Sequence, residues 1–228
     1  MLESNQNEVK TILVCDKGNM PLNAYKINNT HNGYNLKFDF KNINPKKVNI
    51  ETLLSPKIYE LIEKFNNDLI EKIYILNELN PNETDVCILI RPIAKEVGIK
   101  QKYLLFRTTK AINNQTNCVV FYNKDLTYIN PDLVTHYFKK FNLDNINYEP
   151  MLFEYGKTQI LLSNSSNDLN NLSLIDTNNL SDNIDLKFSI DFNLSIKDDI
   201  PLHMENFIGL LFKKMFYNIK EFIYKINI

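Results

Sequence analysis

The chain has 228 residues and is poor in the residues that most often mark a reaction: five glycines, three histidines, three cysteines and only two arginines, Arg91 and Arg107. Five glycines leave no glycine-rich cradle for a nucleotide or dinucleotide. The one echo of such a loop, Gly156-Lys157-Thr158, has Met151 where glycine is needed, and a strand rather than a helix is expected after it. Cys15, Cys87 and Cys118 are too widely spaced for a zinc finger or ribbon and too few for a disulfide-stapled secreted scaffold. His31, His136 and His203 form no His-x-x-x-His pair, so no metal site, catalytic residue or cofactor site is assigned, and the chain is expected not to be an enzyme. Neither sign of charge is in excess, with 26 basic and 27 acidic residues, which argues against bulk attraction to duplex phosphate. No transmembrane segment is expected, because Lys213, Lys214, Lys220, Glu221 and Lys225 interrupt the most apolar stretch. Residues Met1 to Gln6 lack the basic and apolar regions of a secretory leader, so maturation in a reducing cell interior is expected.

What the chain does have is 44% hydrophobic residues, enough for a substantial core, and an abundance of Asn, Ile and Lys at 35, 27 and 24 copies. These residues have AT-rich codons, so the asparagines, including those in Asn28-Asn29-Thr30 and Asn82-Glu83-Thr84, are read as genome drift before function. Val9 to Val14 and Tyr34 to Phe40 read as two strands, broken by Gly18 and Pro21. Ser55-Pro56 starts a helix whose apolar stripe is Ile58, Leu61, Ile62, Phe65 and Leu69. Lys72 to Leu79, Asp85 to Ile93, Lys102 to Thr108 and Cys118 to Tyr122 read as four strands. Asn130-Pro131 opens a short helix burying Leu133, Val134, Tyr137 and Phe138, and Tyr155-Gly156 reads as a hairpin turn.

Residues 163 to 183 are polar and read as an exposed loop. Alternation then runs from Ile184 to Ile196, and at about 3.3 Å per residue such a strand is long enough either to pair with a neighbouring subunit or to bend across two packed sheets. His203 to Ile228 reads as an amphipathic helix with a broad apolar face, for which the chain's own core, another subunit and a membrane interface are all open. The expected class is α+β, mostly antiparallel β with a sandwich-like core, a few helices and this C-terminal helix: one domain over residues 1–202 and an appended helix over 203–228.

Val86-Cys87-Ile88-Leu89-Ile90-Arg91-Pro92, followed by Lys102-Tyr103-Leu104-Leu105-Phe106 and by Tyr148-Glu149-Pro150-Met151-Leu152-Phe153-Glu154-Tyr155-Gly156-Lys157-Thr158, resembles the polyhedrin and granulin family of occlusion-body matrix proteins of insect DNA viruses. In that family an apolar strand also ends in Arg-Pro before an aromatic cluster. The resemblance implies a self-assembling structural protein that forms a crystalline lattice around virions and dissolves at alkaline pH. Its partners would be copies of itself and virions, and its place the nucleus or cytoplasm of an infected host cell, then extracellular occlusion bodies. With 24 Lys and 12 Tyr, alkaline pH would make the chain strongly negative, which suits dissolution. Subunit contacts would come from Phe207, Leu211, Phe216 and Phe222, and intermolecular disulfides from Cys15, Cys87 or Cys118. The alternative is a viral accessory or virion protein that binds single-stranded nucleic acid, through aromatics interleaved with lysines at Lys102 to Arg107 and Tyr122 to Lys124, or a membrane surface through its terminal helix.

Overall fold

Alternating apolar residues decide most of this molecule, because each strand must turn one face to a core. The computed structural model describes residues 11–28, 31–80, 82–92, 100–127, 130–143, 148–164, 183–195 and 206–227. Its strands are β1 (Thr11–Cys15), β2 (Leu22–Asn28), β3 (His31–Ile43), β4 (Ile70–Asn80), β5 (Glu83–Ile90), β6 (Gln101–Asn113), β7 (Cys118–Asp125), β8 (Tyr148–Pro150), β9 (Leu152–Asn164) and β10 (Ile184–Ser195). Its helices are α1 (Ile50–Leu53), α2 (Ile58–Phe65), α3 (Pro131–Lys140) and α4 (Phe207–Asn227). The class is α+β, with a large antiparallel sheet and an amphipathic C-terminal helix. One sheet runs β1-β2-β3-β10-β9-β7-β6-β5-β4, and β8 adds a short parallel pairing to β6.

The two faces of the sheet are covered differently. Leu36, Phe38 and Phe40 of β3 and Leu186, Phe188 and Ile190 of β10 point to one side, where α1, α2 and α4 join them in the main core. On the other side, Cys87, Leu89, Tyr103 and Leu105 lie under Tyr137 and Phe138 of α3. The caps follow from sequence: the Asn130 side chain accepts from the Leu133 amide at 3.1 Å, and Pro131 takes the position where an amide has no partner to lose. Ser55-Pro56 forms a turn just ahead of α2 instead of its first residues, with the Ile58 amide donating to the Ser55 carbonyl at 3.1 Å. Elsewhere four asparagines, Asn19, Asn42, Asn117 and Asn142, take left-handed backbone with φ between 47 and 57°, a role their short polar side chains tolerate.

Three expectations need correction. The first fifty residues hold three strands, not two, because Leu22 and Ala24 of β2 face the core although Asn23 and Lys26 mask the pattern. Tyr155-Gly156 is not a turn but lies inside the continuous strand β9. Gly156 is there because its Cα is crowded: an added Cβ would lie 2.6 Å from Phe153 Cζ and 3.3 Å from Asn123 Cβ. Nor does the long strand reach for a neighbouring subunit, since β10 sits mid-sheet with β3 on one edge and β9 on the other. Register shifts between Ile184 and Leu186 and between Phe192 and Leu194 let it follow both partners. Residues 165–182 of the expected polar loop, and 1–10 and 203–205, lie outside the described residues.

Candidate functional site

Helix α4 lies across the inward face of the sheet with Ile208, Met215, Phe216, Ile219 and Ile223 buried beneath it. Gly209 permits the closest approach, since a Cβ there would stand 2.6 Å from Tyr34 Cε1. Tyr34 in turn stacks on Phe192 with centroids 5.3 Å apart, and Phe192 packs on Phe212 at 4.1 Å. The later part of the helix is tied by polar contacts. Lys213 Nζ lies 3.2 Å from the Cys15 carbonyl, Lys220 Nζ donates to Gly18 and Asn19 carbonyls, and Asn218 Nδ2 donates to Asn66 Oδ1 at 2.9 Å. Asn66, fully buried, donates on to the Met215 carbonyl at 3.2 Å. The first turns, Phe207-Ile208-Gly209-Leu210-Leu211-Phe212, carry no polar side chain at all.

Between helix and sheet lies a cavity of about 60 Å³. Phe212, Met215 and Phe216 roof it, Tyr59 and Ile62 of α2 close one side, and its floor includes Leu104, Phe106, Ile190 and Phe192. None of the described residues lining it is charged, and its polar members are Tyr59, Asn123 and Thr158. Burial pushes the Tyr59 phenol well above its ordinary range, with the neighbouring Thr108 hydroxyl opposing that only in part. Asn123 Oδ1 is buried without a hydrogen-bond partner. Two further concavities among the described residues differ in kind: an open groove of about 410 Å³ has Lys37, Asp39, Gln159, Lys187 and Ser189 in its wall, and one of about 310 Å³ has Glu60, Glu63 and Lys72. Charged, open walls suit solvent, whereas the enclosed apolar space suits an apolar guest.

Of the residues singled out in the sequence, Phe216, 7% exposed, is part of the cavity roof, whereas Phe222 stacks on Phe65 at 4.0 Å, and Phe207 and Leu211 are half-buried outside the cavity lining. Lys102 pairs with Glu149 at 2.9 Å and Arg107 with Asp85 at 2.7 Å, while Tyr103 lies under α3. His136 stands on α3, and His31 begins β3. Among the described residues no group of three or more His, Cys, Asp or Glu is placed to hold a metal ion, and no helix is long and apolar enough to cross a membrane.

All three cysteines are free. Burial pushes the Cys87 thiol up to about 12 and raises that of Cys118, whereas a backbone hydrogen bond at Lys17 and the Lys213 ammonium lower that of half-exposed Cys15. Iodoacetamide near neutral pH should therefore alkylate Cys15 at least about tenfold faster than Cys87; peptide mapping by mass spectrometry that found Cys87 labelled first would contradict this placement.

Tyr59, Asn123, Thr158 and Gly209 were not found from the sequence. The sequence signal was a break of parity at Asn123 and Thr158, polar strand positions two residues after Phe121 and two before Ile160, and Tyr59 and Gly209, on helices α2 and α4, gave none.

No family model matches the sequence, and no curated protein matches it either. Solved structures do share the fold. The human StarD13 (DLC2) lipid transfer and protein localization domain matches with a TM-score of 0.60 at 6% identity, over 93% of this chain and 88% of that one. Human STARD10 matches at 0.57 and 9% identity, over 94% and 75%. Human StAR-related lipid transfer protein 5 matches at 0.56 and 8% identity, over 98% and 88%. Identities this low show the fold alone. They overturn the expectation of a polyhedrin-like occlusion-body matrix protein: the similar structures are lipid-transfer domains, and the long strand meant to carry lattice contacts is paired on both edges within the chain.

Proposed function

We propose that this chain is a lipid carrier, holding one apolar or amphipathic lipid between α4 and the sheet and performing no reaction on it. The observation that carries this reading is the enclosed cavity beneath α4, whose described walls hold no charge. The fold shared with lipid-transfer domains supports it. At about 60 Å³ the space is well below the roughly 300–1,000 Å³ of occupied ligand sites. Loading therefore requires the first turns of α4 to lift or the rings of Phe212 and Phe153 to rotate.

The test is native mass spectrometry of the chain after incubation with phosphatidylcholine vesicles carrying mixed lipids. Discrete lipid adducts on the folded protein are expected. Ile190→Trp, which projects an indole into the cavity floor, should cut loading about tenfold, the equivalent of one overpacked contact. A folded chain that never acquires an adduct, or an Ile190→Trp variant that loads as the parent does, would count against the carrier.

A further inference from the structure

One transverse row of inward-facing positions crosses the whole sheet. Registers pair Ala24 with Tyr34, Tyr34 with Phe192, Phe192 with Gly156, Gly156 with Asn123, Asn123 with Thr108 and Thr108 with Thr84. Half of this row is apolar, and the Phe153 ring lies over Gly156. The other half is polar. On β5 and β6 the inward residues on the core side of the row are Val86 and Phe106, and on β7 the residue level with them is Asp125, 8% exposed, whereas the row itself carries Thr84, Thr108 and Asn123, with Thr84 5% and Thr108 1% exposed.

Thr108 Oγ1 and Asn123 Oδ1 in this row are buried with no hydrogen-bond partner, whereas buried polar groups are nearly always hydrogen-bonded. Tyr59 meets Thr108 from above. Asn123 lines the cavity, and its buried Oδ1 has no partner. Its amide can accept with Oδ1 or donate with Nδ2, so it fits a hydroxyl or an amide equally. No charge answers it within the described cavity wall. The next inward position on β6 is Lys110, half-buried, outside the cavity lining and attracted by Glu51. An anion placed at Asn123 would lose its hydration near the Asp125 carboxylate, two residues along β7, and a cation would find that carboxylate already accepting from the Thr127 and Phe153 amides.

We infer that Asn123, with Thr108 beside it on β6, forms a subsite for one uncharged hydrogen-bonding group, so that the cargo is a neutral lipid ending in a hydroxyl or amide. This rests on the carrier reading above and narrows it. The subsite sits where the polar strip meets the cavity, with the hydrocarbon part of the ligand lying along Phe192, Phe153 and Phe212.

A matched series decides it. Phosphatidylcholine vesicles doped with 1-octadecanol, octadecane or stearic acid are offered to the full chain in competition, and occupancy is read by native mass spectrometry. The alcohol should load about tenfold better than the hydrocarbon, the worth of one buried neutral hydrogen bond, and better still than the carboxylate. Asn123→Leu should erase that preference while octadecane still loads, which shows that the cavity survives. Thr108→Val, nearly isosteric, should reduce the preference about threefold and decides the matter if Asn123→Leu does not fold. Equal loading of alcohol and hydrocarbon, preference for stearate, or a preference kept by both variants would overturn the subsite and leave the carrier standing. Failure of all three ligands to load would overturn both.

Discussion

Replacing Arg107 by methionine is expected to lower the unfolding free energy by about 3–5 kcal/mol. Asp85 on β5 is 1% exposed, and its two oxygens take Arg107 Nε at 2.7 Å and Nη2 at 3.1 Å, while the Tyr137 hydroxyl of α3 donates at 3.0 Å. The Arg107 side chain is 34% exposed, so the guanidinium itself could find water. The carboxylate could not. Removing the arginine leaves a charge in the second core with one phenol for company, and the loss arises there. The same logic gives the control: Arg107→Met combined with Asp85→Asn, which is neutral and still accepts from Tyr137, should recover most of the loss. Urea denaturation of the four members of the cycle measures it. A cost below about 1 kcal/mol for Arg107→Met would mean that the pair behaves as an exposed bridge.

Phe192→Ala should cost about as much, roughly 3–5 kcal/mol, for a different reason. The ring is 1% exposed and wedged between Tyr34 and Phe212, so its removal sacrifices apolar burial and leaves a void that a neighbouring strand cannot close. The void opens into the cavity below α4. Stability and loading should therefore move in opposite directions: a lower urea midpoint, with faster and fuller acquisition of lipid from vesicles. An unchanged midpoint would show that the ring is not a packing element, and slower loading would show that the cavity is not the route taken by the ligand.

Much of this fold was readable from the sequence where the determinants are local. The four strands β4 to β7 follow from apolar runs bounded by Asn, Pro and Gly, and α3 from an Asn-Pro cap. The order of strands was not readable, because β3 and β10 pair residues about 150 positions apart and nothing local says so. Gly156 misled because a glycine in a tight turn and a glycine under an aromatic ring look the same in one sequence. The resemblance at Val86–Pro92 and Lys102–Phe106 misled for a related reason. Both segments are buried antiparallel strands of one sheet, and apolar runs of that kind recur wherever a sheet is covered on both faces. The candidate site was hidden most completely, since Tyr59, Asn123, Thr158 and Phe212 come from four separate elements. Only folding sets them around one space.

The uneven fastening of α4 has a consequence for where such a molecule would let go of its cargo. From Lys213 onward the helix is riveted by hydrogen bonds, but its leading two turns are held by hydrocarbon against hydrocarbon, with Leu210 already 40% exposed. Prising those turns away in water means wetting Ile208, Leu211 and Phe212. At a bilayer the same side chains would exchange one oily neighbour for another, and the main cost of opening would vanish. A flap built this way would be latched by its surroundings: shut in water and free to swing where acyl chains are at hand, since among the described residues no side chain of Phe207 to Phe212 can make a hydrogen bond.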